Sequence, residues 1–232
     1  MTLRVYIFIL AITTITSCDF KSAEDYLKQG NDKILTGNFK AAIQVFDKAI
    51  QKNPKLKEAY IQRGFCYENI LQDSLAINDY KKLLSFDPKN TAAFYYMGIC
   101  RYRQNKFEEA IECYNNALIT KGISILADTS SPRIVIELNR NEIPDDKVYL
   151  DVAPYEIYYE RGLVYYSTQQ IRKAFYDFEN CITQKFHLGD SYYMVGLCWL
   201  TANKKYKACE AFRDGSFYGD SLSRIQLREL CQ

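Results

Sequence analysis

Five glycines in this chain fall on a common ruler. Gly30, Gly64 and Gly98 are 34 residues apart, Gly162 and Gly196 are again 34 apart, and the step from Gly98 to Gly162 is 64, one period plus 30. Other positions keep the register. Ala42, Ala76, Ala110, Ala174 and Ala208 lie twelve residues after each glycine, and Phe46, Tyr80, Tyr114, Phe178 and Phe212 lie four beyond each alanine. Tyr26, Tyr60, Phe94, Tyr158 and Tyr192 lie four before each glycine. Such self-similarity restricts the chain to a stacked repeat, in which no unit buries its apolar face alone. The stretch around Gly98, FYYMGICRYRQNKFEEAIECYNNALI, reads as helix. A glycine there costs about 1 kcal/mol relative to alanine, so packing has to offset it. The expected reason is a close crossing of two helices, glycine in the first and alanine in the second, with the aromatics filling the space between neighbouring units.

This pattern resembles the tetratricopeptide repeat (TPR), a helix-turn-helix of 34 residues, and the match spans about 170 residues. The resemblance implies an all-α solenoid of five repeats, three over 23–122 and two over 155–220. Pro54 and Pro88 follow the second helices of the first two units, where a helix must stop, and Gly37 and Asn38 make the first intra-unit turn. In the first unit Gln29 and Lys33 replace apolar residues, as an end facing solvent would. Residues 221–232 read as a C-terminal capping helix, with Asp220 or Ser221 as N-cap. Leu222, Ile225 and Leu230 form its apolar face, with Leu227 at the margin.

Residues 123–154 break the helical period. Pro132–Asn139 and Lys147–Val152 alternate and are β-branched, which predicts a β-hairpin, or two extended arms joined by a long loop. Ile134, Ile136 and Leu138 would share one face, matched by Val148, Leu150 and Val152. The expected placement is against the array itself, although inserts in repeat proteins often sit on a binding face. Glu142, Asp145 and Asp146 lack the ligand spacing and glycine of a calcium loop, so no metal is expected.

The N-terminus is a separate problem. MTLRVYIFILAITTITSCDF has a short leader with Arg4, then an apolar run too short to span a bilayer, and reads as a signal peptide. Ile15-Thr16-Ser17-Cys18 resembles a bacterial lipobox, which implies removal of residues 1–17, acylation (palmitate among the chains) of Cys18 and a tether over 18–22. The alternative is an ordinary signal peptide with Cys18 incidental. Removing 1–17 takes Arg4 and no acid, so the net charge falls from +2 to +1. A body so nearly neutral gains little from anionic lipid, and the acyl chains would do the holding.

Chemistry is hard to place on this chain. The basic residues are interleaved with acids, which argues against a nucleic-acid surface. The single histidine, His187, has no partners grouped around it in sequence, and there is no phosphate loop, H-E-x-x-H or C-x-x-C. No catalytic residue, cofactor or metal site is expected. Of the eight cysteines, Cys66, Cys100 and Cys198 share one repeat position. Stacked helices lie about 8–10 Å apart, too far for a Cys66–Cys100 disulfide. A Cys100–Cys113 bond within one unit stays open in an oxidising compartment.

In the family that the repeats resemble, first helices line a concave groove that contacts peptides. Carried onto this chain, the face comprises Phe65, Tyr95, Ile99, Tyr102, Tyr159, Leu163, Tyr166, Tyr193 and Leu197. Tyrosine suits recognition, offering apolar area and a hydrogen bond at low ordering cost. The carboxylate clamp that some family members use is not implied. Only Asn31 matches it, and Leu27, Gln62, Ala92 and Tyr96 stand where its other residues should be. The expected function is a non-catalytic scaffold binding a protein or peptide in the groove, tethered to a bacterial envelope membrane, the outer in preference to the inner. Its face would be periplasmic or external. The alternative is a structural subunit of an envelope complex that binds through the convex face or the inserted hairpin.

Overall fold

The computed structural model describes residues 20–122 and 152–231. Among these residues there are eleven helices and no strand. The first six are α1 (Ala23–Leu35), α2 (Phe39–Lys52), α3 (Lys57–Asn69), α4 (Asp73–Phe86), α5 (Thr91–Arg103) and α6 (Phe107–Thr120). After the gap come α7 (Pro154–Ser167), α8 (Ile171–Thr183), α9 (Leu188–Thr201), α10 (Lys205–Phe217) and α11 (Ser221–Leu230). Each odd helix packs most closely on the even helix that follows, and each even helix then packs on the next odd one. First helices also touch one another, α1 with α3, α3 with α5, and α5 with α7, with no comparably close pair among second helices. The first helices therefore line the inner side of the stack. The packing of α6 on α7 continues this order across residues 123–151.

The glycine ruler has a direct steric cause. A Cβ built on Gly98 would lie 2.5 Å from Cε1 of Tyr114, and one on Gly30 would lie 2.3 Å from Cε1 of Phe46. At Gly64 and Gly196 the ring atoms of Tyr80 and Phe212 stand at 2.6 and 2.4 Å, and at Gly162 Phe178 stands at 3.0 Å. Carbon atoms do not approach so closely, so each aromatic ring takes the space a Cβ would need. This corrects the expected contact. The glycine meets the aromatic sixteen residues on, inside its own unit, and not the alanine. The alanines Ala42, Ala76, Ala110, Ala174 and Ala208 are all fully buried.

The turn inside each unit is equally regular. The residue seven after each ruler glycine has positive φ, at Gly37, Leu71, Asn105, Gln169 and Asn203. In each case the next N–H donates to the carbonyl five residues back: Asn38 to Lys33, Gln72 to Tyr67, Lys106 to Arg101, Gln170 to Tyr165, and Lys204 to Trp199. These are Schellman closures, which satisfy the last carbonyls of the first helix and reverse the chain. Between units, Asn53 and Asp87 terminate α2 and α4 ahead of Pro54 and Pro88, as the sequence leads one to expect.

The last helix departs from expectation. Asp220 is the N-cap and accepts from the Ser223 N–H at 2.6 Å. The buried residue on α11 is Ser223, pressed against Gly215, whereas Leu222 and Ile225 are exposed. Close approach of α10 and α11 at a glycine selects the small residue for the inner face and turns the leucine–isoleucine edge outward. A disulfide between Cys209 on α10 and Cys231, with Cα atoms 5.7 Å apart, fixes the end of α11 to the array. Cys66, Cys100, Cys113, Cys181 and Cys198 are free and buried, so Cys100 and Cys113 do not pair. The signal peptide, Cys18 and the expected strands, save Val152, lie outside the described residues. Val152 itself is buried beside Ile157 and Tyr158.

Candidate functional site: the face of the first helices

All nine groove residues named from the sequence sit on first helices and are partly buried, neither fully covered nor free. They fall into two groups. Tyr95, Ile99, Tyr102 and Tyr159 pack against a core built on Tyr114, Ile157 and Tyr158. Tyr159 also reaches the second group, with Leu163, Tyr166, Tyr193 and Leu197 around Tyr165, Phe178 and Met194. Phe65 joins the first group through Tyr96, 6.1 Å away edge-on, and Tyr96 meets Tyr95 at 5.2 Å. The face is thus a continuous aromatic strip from α3 to α9. Burial pushes the hydroxyls of Tyr95 and Tyr96 well above the usual range, and that of Tyr159 to about 12, so they stay protonated donors.

Charged residues punctuate this strip. Glu68 on α3 is buried, accepts from the Tyr80 hydroxyl at 3.3 Å, and pairs with Nη1 of Arg103 at 3.3 Å. Arg103 also donates through Nε to Asp73 at 3.0 Å, tying α5 to both helices of the preceding unit. Burial raises the Glu68 carboxyl against the opposing pull of Arg103. Glu160 on α7 is different. It makes no hydrogen bond or ion pair among the described residues, and burial raises its carboxyl, with Glu68 adding to the effect and His187 and Arg103 opposing it.

His187, which the sequence left without a role, precedes α9 in a left-handed conformation. Its ring stacks on Tyr159 at 5.4 Å, and Nδ1 lies 3.2 Å from Oδ2 of Asp190. It therefore edges the aromatic strip rather than hanging free. Among the described residues no group of His, Cys, Asp and Glu is arranged to hold a metal ion. The free cysteines are not poised as nucleophiles. Burial pushes Cys66, Cys100 and Cys198 to about 12 and Cys113 to about 11. An apolar cleft of about 430 Å³ lies between α8 and α9, lined by Phe175, Tyr176 and Trp199 among others.

Sequence reasoning missed Glu68 and Glu160. Both sit at positions where a neighbouring unit has an aromatic: Tyr102 and Tyr166 correspond to Glu68, and Tyr96 corresponds to Glu160. Aligning the units would have exposed Glu68, the one acid in a column with Ile34, Tyr102, Tyr166 and Leu200, but not Glu160, whose column of Lys28, Gln62, Tyr96 and Met194 is mostly non-aromatic.

Residues 91–119, which cover α5 and most of α6, match the family described as tetratricopeptide repeat. The small glutamine-rich tetratricopeptide repeat-containing protein 2 of Mycosarcoma maydis is 28% identical over 114 residues, 46% of this chain and 32% of that protein. The chain thus spans about a third of the length of such relatives. Two solved structures share the fold. MamA superimposes with a TM-score of 0.63 at 22% identity, covering 80% of this chain and 91% of MamA. YrrB, described as a TPR protein with an unusual peptide-binding site, gives a TM-score of 0.65 at 16% identity, covering 90% and 93%. The chain carries a tetratricopeptide repeat, and its helices stack as in TPR proteins.

Proposed function

We propose that this chain is a non-catalytic scaffold of five TPR units, tethered through acylated Cys18 to a bacterial envelope membrane, that holds a protein or peptide segment along the face of its first helices. The observation that carries the reading is the strip from Phe65 to Leu197, an aromatic surface left half-covered on the inner side of the stack. Half-covered tyrosine is what a recognition surface keeps and a closed core does not. The likeness to YrrB, described as having a peptide-binding site, supports use of such a stack for peptides. The Cys209–Cys231 disulfide supports placement outside the reducing cytosol.

A second reading, binding through the outer face, has its own support. Tyr206 and Phe217 on the second helix α10 are 77% and 81% exposed. The two are separated by in-cell crosslinking of the tethered protein and of its Tyr95→Ala, Tyr166→Ala double variant, with circular dichroism as the check on folding. Loss of a wild-type partner from the variant establishes the groove. A partner retained there but lost from a Tyr206→Ser, Phe217→Ser variant establishes the outer face. Tethering is tested by Cys18→Ser, which should move the protein from the membrane to the soluble fraction.

A further inference from the structure

We infer that the groove between α5 and α7 selects a cationic side chain, a lysine or arginine of an extended partner segment, with Glu160 as its counter-charge and Tyr95 and Tyr159 as its walls. The inference rests on the groove reading above and gives it a chemistry.

Repeat equivalence fixes where Glu160 stands. Tyr96, two residues before its ruler glycine, stacks on Tyr80 at 5.8 Å. Glu160 holds the same position before Gly162, so it is the register counterpart of that ring, as Tyr114 is of Tyr80. Tyr114 agrees. Its side chain is fully buried, its hydroxyl has no hydrogen-bond partner, and Glu160 is the charged group that acts on it most strongly. In the preceding unit the same hydroxyl, that of Tyr80, is bonded to Glu68. Among the described residues, the α5–α7 groove therefore holds a half-covered carboxylate without a partner and, within reach of its charge, a buried hydroxyl without one. Buried polar groups in native folds are nearly always satisfied, and a buried hydroxyl left open within the field of a half-covered, unpaired carboxylate marks a place where something else balances the charge.

Among the described residues, the cations nearest to Glu160 are engaged elsewhere. Arg103 is taken up by Asp73 and Glu68, and the Nδ1 of His187 lies against Asp190. Glu156 adds negative charge rather than balancing it, since its carboxylate accepts from the Ala153 N–H at 2.6 Å. Glu68, Glu156 and Glu160 together make the field at Tyr95 acidic. An anionic partner end would be repelled here. A lysine or arginine fits instead: its stem lies along the Tyr95 and Tyr159 rings, its head gains a cation–π contact, and its charge meets Glu160 in a partly desolvated site.

The test uses three pools of end-blocked nonapeptides, random except for a central lysine, norleucine or glutamate, titrated by fluorescence anisotropy against the purified full chain. The lysine pool should bind at least about tenfold more tightly than the norleucine pool, as expected of one charge-assisted contact. Glu160→Gln, which removes a charge but no existing bond, should bring the two pools level. Glu160→Lys should shift preference to the glutamate pool. Equal binding of lysine and norleucine pools to wild type, with both weakened by Tyr95→Ala, would overturn the charge selection and leave the groove standing. Absence of binding by every pool up to about 1 mM would remove the groove reading and this inference together.

Discussion

Arg161 donates two parallel hydrogen bonds to Asp177, from Nε at 2.8 Å and from Nη2 at 2.7 Å, and a third from Nη1 to Asn115 of the preceding unit at 2.7 Å. Arg63 does the same two units earlier, with Asp79 in its own unit and Asp47 in the one before. The arginine always stands one residue before the ruler glycine, and its far partner one residue after the ruler aromatic. At the other two joints the arginine's place is taken by Met97 and Val195, both buried. At this position arginine clamps therefore alternate with apolar residues along the stack, and the joint at Met97 takes its polar tie from Arg103 instead.

The clamp sets up an asymmetric prediction. Arg161→Met strands the Asp177 carboxylate in the core and should cost about 3–5 kcal/mol. The double change Arg161→Val, Asp177→Ala copies the last joint, where Val195 and Ala211 share one apolar cluster, and should recover most of that loss. Urea denaturation of the three proteins measures it. A double variant as unstable as the single one would mean that Asn115, not Asp177, dominates the clamp.

The ruler glycines are predicted to resist even one methyl. Gly98→Ala gains about 1 kcal/mol in helix propensity but drives a Cβ into the Tyr114 ring, so the net effect should be a loss of about 1–3 kcal/mol. Thermal melting reads this directly, and an unchanged midpoint would show that the ring moves aside freely.

Leu71 is predicted to change in the opposite direction. It is 75% exposed and sits at φ +60°, a conformation that costs a leucine about 1–2 kcal/mol. Asn105 and Asn203 fill the same turn in other units. Leu71→Asn or Leu71→Gly should stabilise by about 1 kcal/mol in the same denaturation assay.

Glu160→Gln should also stabilise, with a definite pH dependence. The folded-state carboxyl titrates above its unfolded value because burial disfavours its charge. The native state therefore holds the proton more tightly, and stability is lost as pH rises from the unfolded value through the folded one. The glutamine variant should match wild type at acidic pH, below that window, and exceed it at neutral pH. Stability curves for both proteins between these limits test the sign.

Reduction of Cys209–Cys231 should lower the melting temperature, since a bridge closing a loop of this size contributes about 3 kcal/mol. Thiol titration of the unfolded, unreduced full chain should find two fewer than its eight cysteines. A full count of eight would place the bond outside the native protein.

What can be read from the sequence follows from what repeats. Gly98 and Tyr114 carry one steric requirement copied at every ruler glycine, so the helix pairs and the inner face are legible in the residues alone. Features that occur once or twice are not. Arg161 and Asp177 are sixteen residues apart and meet only when two helices cross, and the same clamp is absent beside Gly30, Gly98 and Gly196. Cys209 and Cys231 meet only because α11 folds back on α10. Ser223 is hidden by a rule that generally works: leucine is expected inward, but the close approach at Gly215 leaves room only for a hydroxyl. Glu160 is invisible because acids on helices are usually solvated, and its partial cover arises only when neighbouring units stack.

The bond from Arg161 to Asn115 reaches across residues 123–151 and joins the two units on either side of them. The two cut ends of the array are thereby held at a spacing that no longer depends on what lies between. Lengthening a closed loop costs only about 0.6 kcal/mol for each doubling, so the stack is nearly indifferent to how many residues enter at this joint. For an evolving gene, that makes this joint a socket: new sequence can be tried there while the helices on both sides keep their register.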